Sequence, residues 1–184
     1  MARTESKMVA LGTKAPNFSL WDTVSENILD LQTMSGVKGT VIMFICNHCP
    51  FVIHVNQEIS KIAQEYQLKG IGFIAISSND IVDYPQDSPE LMKTTASDEG
   101  YTFPYLYDAT QEVAKAYDAA CTPDFYLFNA KLKLVYRGQL DDSRPNNGIP
   151  VTGSDLRKAM DALLSGGPII EPQKPSIGCN IKWV

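Results

Sequence analysis

Two apolar runs separated by an amphipathic segment are the strongest structural signals in the chain. Residues 40–45 (TVIMFI) and 71–77 (IGFIAIS) are mostly apolar and rich in β-branched side chains, as in strands buried on both faces of a sheet. From Phe51 to Tyr66, apolar residues recur at steps of three and four, which predicts a helix that Gly70 is placed to end. Strand, helix and strand form a βαβ unit, so we expect parallel strands and a right-handed crossover.

Shorter patterns predict the remaining elements. Strands are expected at 17–21 and 27–31, an antiparallel hairpin at 124–128 and 133–139, and helices from Ser88, over 111–117 and over 154–167. Ser88 and Ser154 are the predicted N-caps, and Gly166 is the predicted stop of the last helix. Together the elements predict an α/β protein with a central mixed β-sheet flanked by helices.

Chain length and proline distribution predict the domain organisation. A chain of 184 residues can bury a core of its own, so we expect one domain over 1–184. Its first forty residues predict an N-terminal extension of short strands and turns. Residues from about 166 to 184 contain Pro168, Pro172 and Pro175, and we expect them to form an extended C-terminal tail over the domain.

Composition excludes several classes of partner. Hydrophobic residues make up 44% of the chain and charged residues 20%, with a net charge of −5, which argues against a nucleic-acid or anionic-membrane surface. The first residues have no apolar region typical of a signal peptide, and no apolar run is long enough to span a bilayer. We therefore expect a cytoplasmic protein, in which cysteines are seldom joined in structural disulfides.

The segment CNHC carries the clearest chemical signal. Cys46 comes directly after the first buried strand, where ligands and chemistry gather in open α/β sheets. The pattern places it at the mouth of the next helix, whose unpaired N–H groups would lower the pKa of a thiol. Cys49, three residues on, is within disulfide reach. Asn47 is a candidate helix cap, and a protonated His48 would favour the thiolate.

Three interpretations of this segment stay open on residue chemistry alone. A reactive dithiol is favoured by a CxxC between a strand and a helix. Structural zinc needs four ligands and there is no second CxxC, although Cu(I) could be held by the CNHC segment and one further soft ligand. Inert packing of small thiols is the third interpretation. His54 is assigned no role.

Four segments together resemble a known family. They are GTKAPNFSL (12–20), the βαβ unit with CNHC, TPDFYLF (122–128) with its hairpin strand, and GCNIKW (178–183). They resemble the thioredoxin fold in its AhpC/TSA peroxiredoxin variant, in particular peroxiredoxin-like proteins with a thioredoxin-type CxxC. The resemblance implies a cis proline facing the CxxC, here Pro123. It also implies that Thr122 presents its backbone to an incoming peptide or mixed disulfide, with Cys121 close to the redox pair.

Departures from the family pattern weaken a peroxidase assignment. The peroxiredoxin signature would make Cys49 the peroxidatic residue, but Ile42 stands in place of its proline and Cys46 in place of its threonine. The position of the peroxide-binding arginine falls at about Pro123. On the thioredoxin side, Thr40 stands near the place of the buried acid.

We therefore predict a thiol–disulfide oxidoreductase in which Cys46 attacks, Cys49 resolves the mixed disulfide and His48 tunes the potential. Cys121 and Cys179 are candidate relay thiols. We expect no cofactor and no metal, a protein or small-molecule thiol or disulfide as substrate, and a reducing partner; self-association is left open. The alternatives are a weak thiol peroxidase using Cys49, with Cys46 resolving, and a module that binds or delivers Cu(I) or zinc.

Overall fold

The computed structural model describes residues 3–184, and its larger sheet has seven strands. In spatial order they are β3 (Asn27–Asp30), β2 (Ser19–Asp22), β6 (Tyr105–Tyr107), β5 (Ile71–Ser77), β4 (Gly39–Phe44), β8 (Asp124–Asn129) and β9 (Leu134–Gly138). β4, β5 and β6 run parallel, and every other pair is antiparallel. The predicted mixed sheet, with its parallel βαβ strands and its antiparallel hairpin, is confirmed.

A second sheet of three strands involves the C-terminal segment. Its strands are β1 (Arg3–Glu5), β10 (Ile177–Asn180) and β7 (Cys121–Thr122), with β10 in the middle. β10 is antiparallel to both neighbours. The predicted extended tail is therefore partly a strand, joined by main-chain hydrogen bonds to the segment just before Pro123.

Six α-helices flank the sheets in the described part of the chain. They are α1 (Leu31–Met34), α2 (Pro50–Ile53), α3 (Asn56–Gln67), α4 (Pro89–Asp98), α5 (Glu112–Ala116) and α6 (Ser154–Ser165), with a 3₁₀ turn at Pro85–Asp87. The single helix predicted after the CNHC segment is divided in two. The N–H of Val55 bonds to the carbonyl of Val52, and this tighter i→i−3 bond closes α2 before α3 begins.

The predicted helix ends are correct in part. The Ser88 hydroxyl accepts the N–H of Leu91 at 3.5 Å, as expected for an N-cap, and Gly166 ends α6 with φ 68°. The prediction for Ser154 is wrong, because Ser154 is already the first helical residue and Gly153 is the N-cap, with φ 66°. A glycine suits that position because it adopts a left-handed backbone without a Cβ clash.

The core lies on both faces of the larger sheet. Along β4 the side chains alternate, so that Val41 and Met43 pack on one face and Ile42 and Phe44 on the other, as the pleat of a strand requires. None of the helices in residues 3–184 has the length and apolar character needed to cross a bilayer.

Candidate active site

The CNHC segment connects the end of β4 to the start of α2. Cys49 is the N-cap of α2 and Pro50 is its first residue, where a missing N–H costs nothing. The sequence pattern places Cys46 at the helix mouth, and this is wrong: Cys49 has that position. Asn47 is not a helix cap either, because its side chain donates to the carbonyl of Gln86 and accepts from the hydroxyl of Tyr105.

Three thiols and one threonine meet beside this turn. The Cys46 sulfur lies 3.4 Å from the Thr122 hydroxyl. A protonated Cys49 donates to the carbonyl oxygen of Thr122 at 3.3 Å. The sulfurs of Cys49 and Cys179 are hydrogen-bonded at 2.8 Å. Cys46, Cys49 and Cys179 are at most 2% exposed and belong to one apolar cluster, and the three are in the reduced form.

The loop that faces these thiols carries the proline implied by the family resemblance. The Thr122–Pro123 peptide bond is cis, as expected. The expectation that the Thr122 backbone is open to a substrate peptide is wrong, because Thr122 is paired with Cys179 of β10. A segment of the chain itself occupies the place where a peptide was expected.

The surroundings of the thiols separate their proton affinities. The hydrogen bond with Cys49, burial and the nearby Asp87 carboxylate raise the pKa of Cys46 well above its usual range. The pKa of Cys49 is lowered to about 5, first by the hydrogen bond with Cys46 and then by hydrogen bonds with the Cys179 thiol and the main chain of Val52 and Cys179, which together outweigh burial. Burial and the contact with Cys49 raise the pKa of Cys179 to about 12. Above about pH 5, these surroundings therefore favour the thiolate on Cys49 and the protonated thiol on Cys46 and Cys179.

A buried carboxylate holds the CNHC loop in place. One oxygen of Asp87 accepts the main-chain N–H groups of Asn47 and His48, at 2.8 and 3.2 Å. The other lies 2.7 Å from His48 Nδ1 and accepts from Asn79 at 2.7 Å. The His48 ring also stacks on Tyr84. Asp87 is fully buried and its contacts fix both the loop backbone and the imidazole orientation.

Sequence reasoning missed Asp87. The available signal was its position in the segment after β5, because the carboxyl ends of parallel neighbours β4 and β5 meet at the same edge of the sheet. Its distance along the chain from CNHC hid the contact.

Three side chains of the CNHC loop and its anchor form a candidate metal site. Ligand atoms of Cys46, His48 and Asp87 all lie within 4.8 Å of one another, a thiol, imidazole and carboxylate set that suits zinc. However, the Asp87 carboxylate already receives its contacts from Asn47, His48 and Asn79. A bound cation would have to displace some of these.

Cys121 lies next to Thr122 but faces another part of the molecule. Its sulfur is 3.9 Å from the Pro123 carbonyl, and burial raises its pKa, with the Asp124 carboxylate adding to the effect. Because successive strand residues point to opposite faces, Thr122 and its partner Cys179 share one face and Cys121 has the other. Cys121 is therefore next to the site in sequence, as expected, but its side chain points away from the CNHC segment.

A second acid that sequence reasoning missed follows the cis proline. Asp124 lies opposite Phe44 in the β4–β8 register and pairs with Arg137 at 3.0 Å, both side chains being fully buried. Burial raises the pKa of Asp124 to about 6 in spite of the guanidinium. The family pattern has a buried acid near the position of Thr40. Here that position holds no acid, and the buried acid is Asp124 on the adjacent strand β8.

The fold and the cysteine pair at a strand–helix junction define a thioredoxin-like protein with a peroxiredoxin-type framework. The chain belongs to the AhpC/TSA family, whose profile matches residues 11–137. No curated protein matches the chain at a significant level.

Several solved structures are similar to the chain. An uncharacterized conserved protein from Geobacillus kaustophilus is 61% identical with a TM-score of 0.98, over 100% of this chain and 97% of that one. A hypothetical protein from Sinorhizobium meliloti 1021 is 46% identical with a TM-score of 0.96, over 98% of each chain. The thioredoxin domain of a thiol-disulfide oxidoreductase from Bacteroides vulgatus shares the fold, with 18% identity and a TM-score of 0.61 over 72% of this chain and 90% of that one.

Proposed function

We propose that this protein is a thiol–disulfide oxidoreductase whose redox centre is the Cys46–Cys49 pair. The observation that carries the proposal is that the sulfurs of Cys46 and Cys49 converge on Thr122, at 3.4 Å and 3.3 Å, beside the cis Pro123 loop. The substrate is a protein or small-molecule disulfide, and a thiol donor restores the dithiol. The cytoplasmic location predicted from composition belongs to the same proposal.

The charge distribution supports a reversal of the roles predicted from the sequence. Cys49, as thiolate, attacks one sulfur of the substrate disulfide; that S–S bond breaks and the first substrate thiolate leaves. Cys46 then loses its proton and attacks the Cys49 sulfur of the mixed disulfide. The second substrate thiolate leaves, the Cys46–Cys49 disulfide forms, and the substrate has gained two electrons.

Trapping the mixed disulfide tests this order. Because Cys179 lies 2.8 Å from Cys49, the comparison is made in a Cys179→Ser background so that Cys179 cannot resolve the intermediate. With a peptide disulfide as substrate, the Cys46→Ser variant should accumulate a mixed disulfide on Cys49, whereas the Cys49→Ser variant should not. The reverse result would assign the attack to Cys46, as the sequence predicted. The proposal would be wrong if neither variant formed an adduct and the Cys179→Ser protein formed no Cys46–Cys49 disulfide.

Peroxidase activity is expected to be slow. The groups around the Cys49 sulfur are thiols and main-chain atoms, and Arg137 is committed to the buried pair with Asp124. Because the Thr122 hydroxyl is in contact with Cys46 and Arg137 is not available to polarise the O–O bond, Cys49 should react with hydrogen peroxide as an ordinary thiolate does. Stopped-flow oxidation of the reduced protein measures this, and a rate constant in the range of dedicated peroxidases would favour the peroxidase function instead.

A metal-binding function is the second candidate, because Cys46, His48 and Asp87 converge. We expect protein purified without an affinity tag to carry far less than one zinc or copper per chain, since the Asp87 oxygens are already engaged. Near-stoichiometric metal that disappears in Cys46→Ser, together with chelator-sensitive stability, would favour the metal function.

A further inference from the structure

Strand β10 covers the approach to the thiol pair. In its pairing with β7, Cys179 stands opposite Thr122. A Cβ atom built on Gly178 would lie 1.9 Å from the Thr122 carbonyl oxygen, so the two main chains are in direct contact at this point. An extended peptide that binds a protein by strand addition uses the same kind of main-chain edge, and at Thr122 that edge is already taken.

The same strand brings a thiol to Cys49. The sulfur of Cys179 lies 2.8 Å from that of Cys49, and the Cys179 side chain is 2% exposed. Thr122 and Cys179 face the pair together, while Cys121 and Asn180, the next opposing residues in the register, face away. Cys179 is therefore placed where the sulfur of a bound disulfide substrate would have to be.

We propose that β10 is an internal substrate segment and that Cys179 is a second disulfide partner of Cys49. The inference rests on the proposed redox function of the Cys46–Cys49 pair. In the reduced protein β10 shields the pair, and a peptide disulfide must displace β10 from Thr122 to reach it. In the oxidised protein the disulfide passes from the CNHC loop to the C-terminal strand.

The exchange needs no oxidant beyond the one that formed the first disulfide. Cys179 loses its proton and its sulfur attacks the Cys49 sulfur of the Cys46–Cys49 disulfide. The Cys49–Cys179 bond forms, the Cys46–Cys49 bond breaks, and Cys46 leaves as a thiolate that takes up a proton. The product ties the CNHC loop covalently to β10 and returns Cys46 as a thiol.

Peptide mapping under non-reducing conditions distinguishes the two disulfides. Trypsin places Cys46 and Cys49 in peptide 39–61 and Cys179 in peptide 159–182, because the Lys174–Pro175 bond resists cleavage. Oxidised Cys46→Ser protein should yield the linked pair 39–61 with 159–182. The Cys121→Ser variant is the matched control, because the Cys121 thiol faces away from the pair. It should form the same disulfides as the wild-type protein.

A second experiment uses wild-type protein oxidised in glutathione buffers and needs no substitution of Cys46. We expect both the internal Cys46–Cys49 disulfide and the linked pair of peptides, and loss of the linked pair in Cys179→Ser. The inference would be overturned if the wild-type protein formed only the Cys46–Cys49 disulfide and the Cys46→Ser variant formed no linked pair of peptides. The proposed function would still stand in that case. No disulfide in any form would overturn both.

Discussion

At the scale of single residues, four cysteines of one chain have different chemistry because their neighbours differ. Hydrogen bonds with Cys46, with Cys179 and with the main chain of Val52 favour a thiolate on Cys49. Cys179 contacts that sulfur and Cys46 contacts the Thr122 hydroxyl, and both are favoured in the protonated form. Cys121 is buried beside a carboxylate, which opposes ionisation. Surroundings rather than residue type set the reactivity.

Titration of the reduced protein should show one thiolate forming near pH 5, since the pKa of Cys49 is lowered to about 5. The thiolate fraction should fall as the pH falls through that value. Ultraviolet absorbance of the thiolate measures it. Cys49→Ser should remove the step and Cys121→Ser should keep it, whereas a step that survives in Cys49→Ser would assign the charge to another thiol.

Replacing Asp87 should loosen the CNHC loop. An amide at this position presents an NH₂ group to donors that the carboxylate now satisfies, on His48 and on Asn79. We expect Asp87→Asn to lower the free energy of unfolding by about 2–5 kcal/mol, as for other buried charged acceptors. Loss of the carboxylate should also lower the pKa of Cys46, which Asp87 now raises.

Urea unfolding of Asp87→Asn and of the matched Asp83→Asn tests this expectation. Asp83 is exposed, so its replacement should change stability by no more than about 0.5 kcal/mol. Equal effects of the two variants would mean that Asp87 does not anchor the loop.

At the scale of elements, the short strand β10 decides how accessible the site is. It lies between β1 and β7 and its Gly178 permits the close approach to Thr122. Four residues of strand therefore control both the cover over the thiols and the position of Cys179.

A methyl group on Gly178 should open this cover. Its Cβ would lie 1.9 Å from a main-chain oxygen, and such overpacking costs about 1–3 kcal/mol. If the cost falls on the contact between β10 and β7, local opening becomes roughly 5- to 150-fold more frequent. Gly178→Ala should therefore increase the rate of alkylation of Cys49 in native protein by a factor in that range.

Gly167→Ala is the matched control for this experiment. A Cβ on Gly167 meets its nearest atom at 3.4 Å, an ordinary contact, so thiol reactivity should not change. Unchanged reactivity in Gly178→Ala, with the variant folded, would show that β10 does not limit access to Cys49.

At the scale of the whole molecule, the sheet separates the thiol site from a buried ion pair. The Asp124–Arg137 pair is fully buried, and the guanidinium carbon lies 4.4 Å from the centre of the Tyr126 ring. Arg137 also donates to the carbonyl of Asp118 at 2.9 Å. The pair connects β8, which begins after the cis proline, to β9 at the edge of the sheet.

This ion pair gives the stability a particular pH dependence. The pKa of Asp124 is about 6 in the folded protein against an ordinary value of 3.8, so between these values the folded state binds more protons than the unfolded state. Its contribution to stability is complete below pH 3.8 and falls as the pH rises to about 6. Relative to Asp124→Asn, wild type should lose up to about 3 kcal/mol over that window.

Chemical unfolding of wild type and Asp124→Asn across this pH range checks the prediction. The difference between the two free energies isolates the contribution of Asp124. A constant difference, or one that grows in favour of wild type with rising pH, would contradict it.

Sequence patterns were sufficient where the structure depends on neighbouring residues. The strands at 40–45 and 71–77, the hairpin at 124–128 and 133–139, and the CxxC at a strand–helix junction all follow from local periodicity, because burial on one or both faces repeats along the chain. The cis proline came from the family resemblance and not from any local pattern.

Tertiary structure alone decided the arrangement within the site. Residues 177–180 are too few to show a strand pattern, and the pairing of Cys179 with Thr122 joins segments far apart in sequence. Asp87 is likewise brought to the CNHC loop by folding. Which thiol holds the charge depends on donors from several segments. A hydrophobic pattern records which face is buried, whereas proton affinity and partner depend on atoms that only the folded chain brings together.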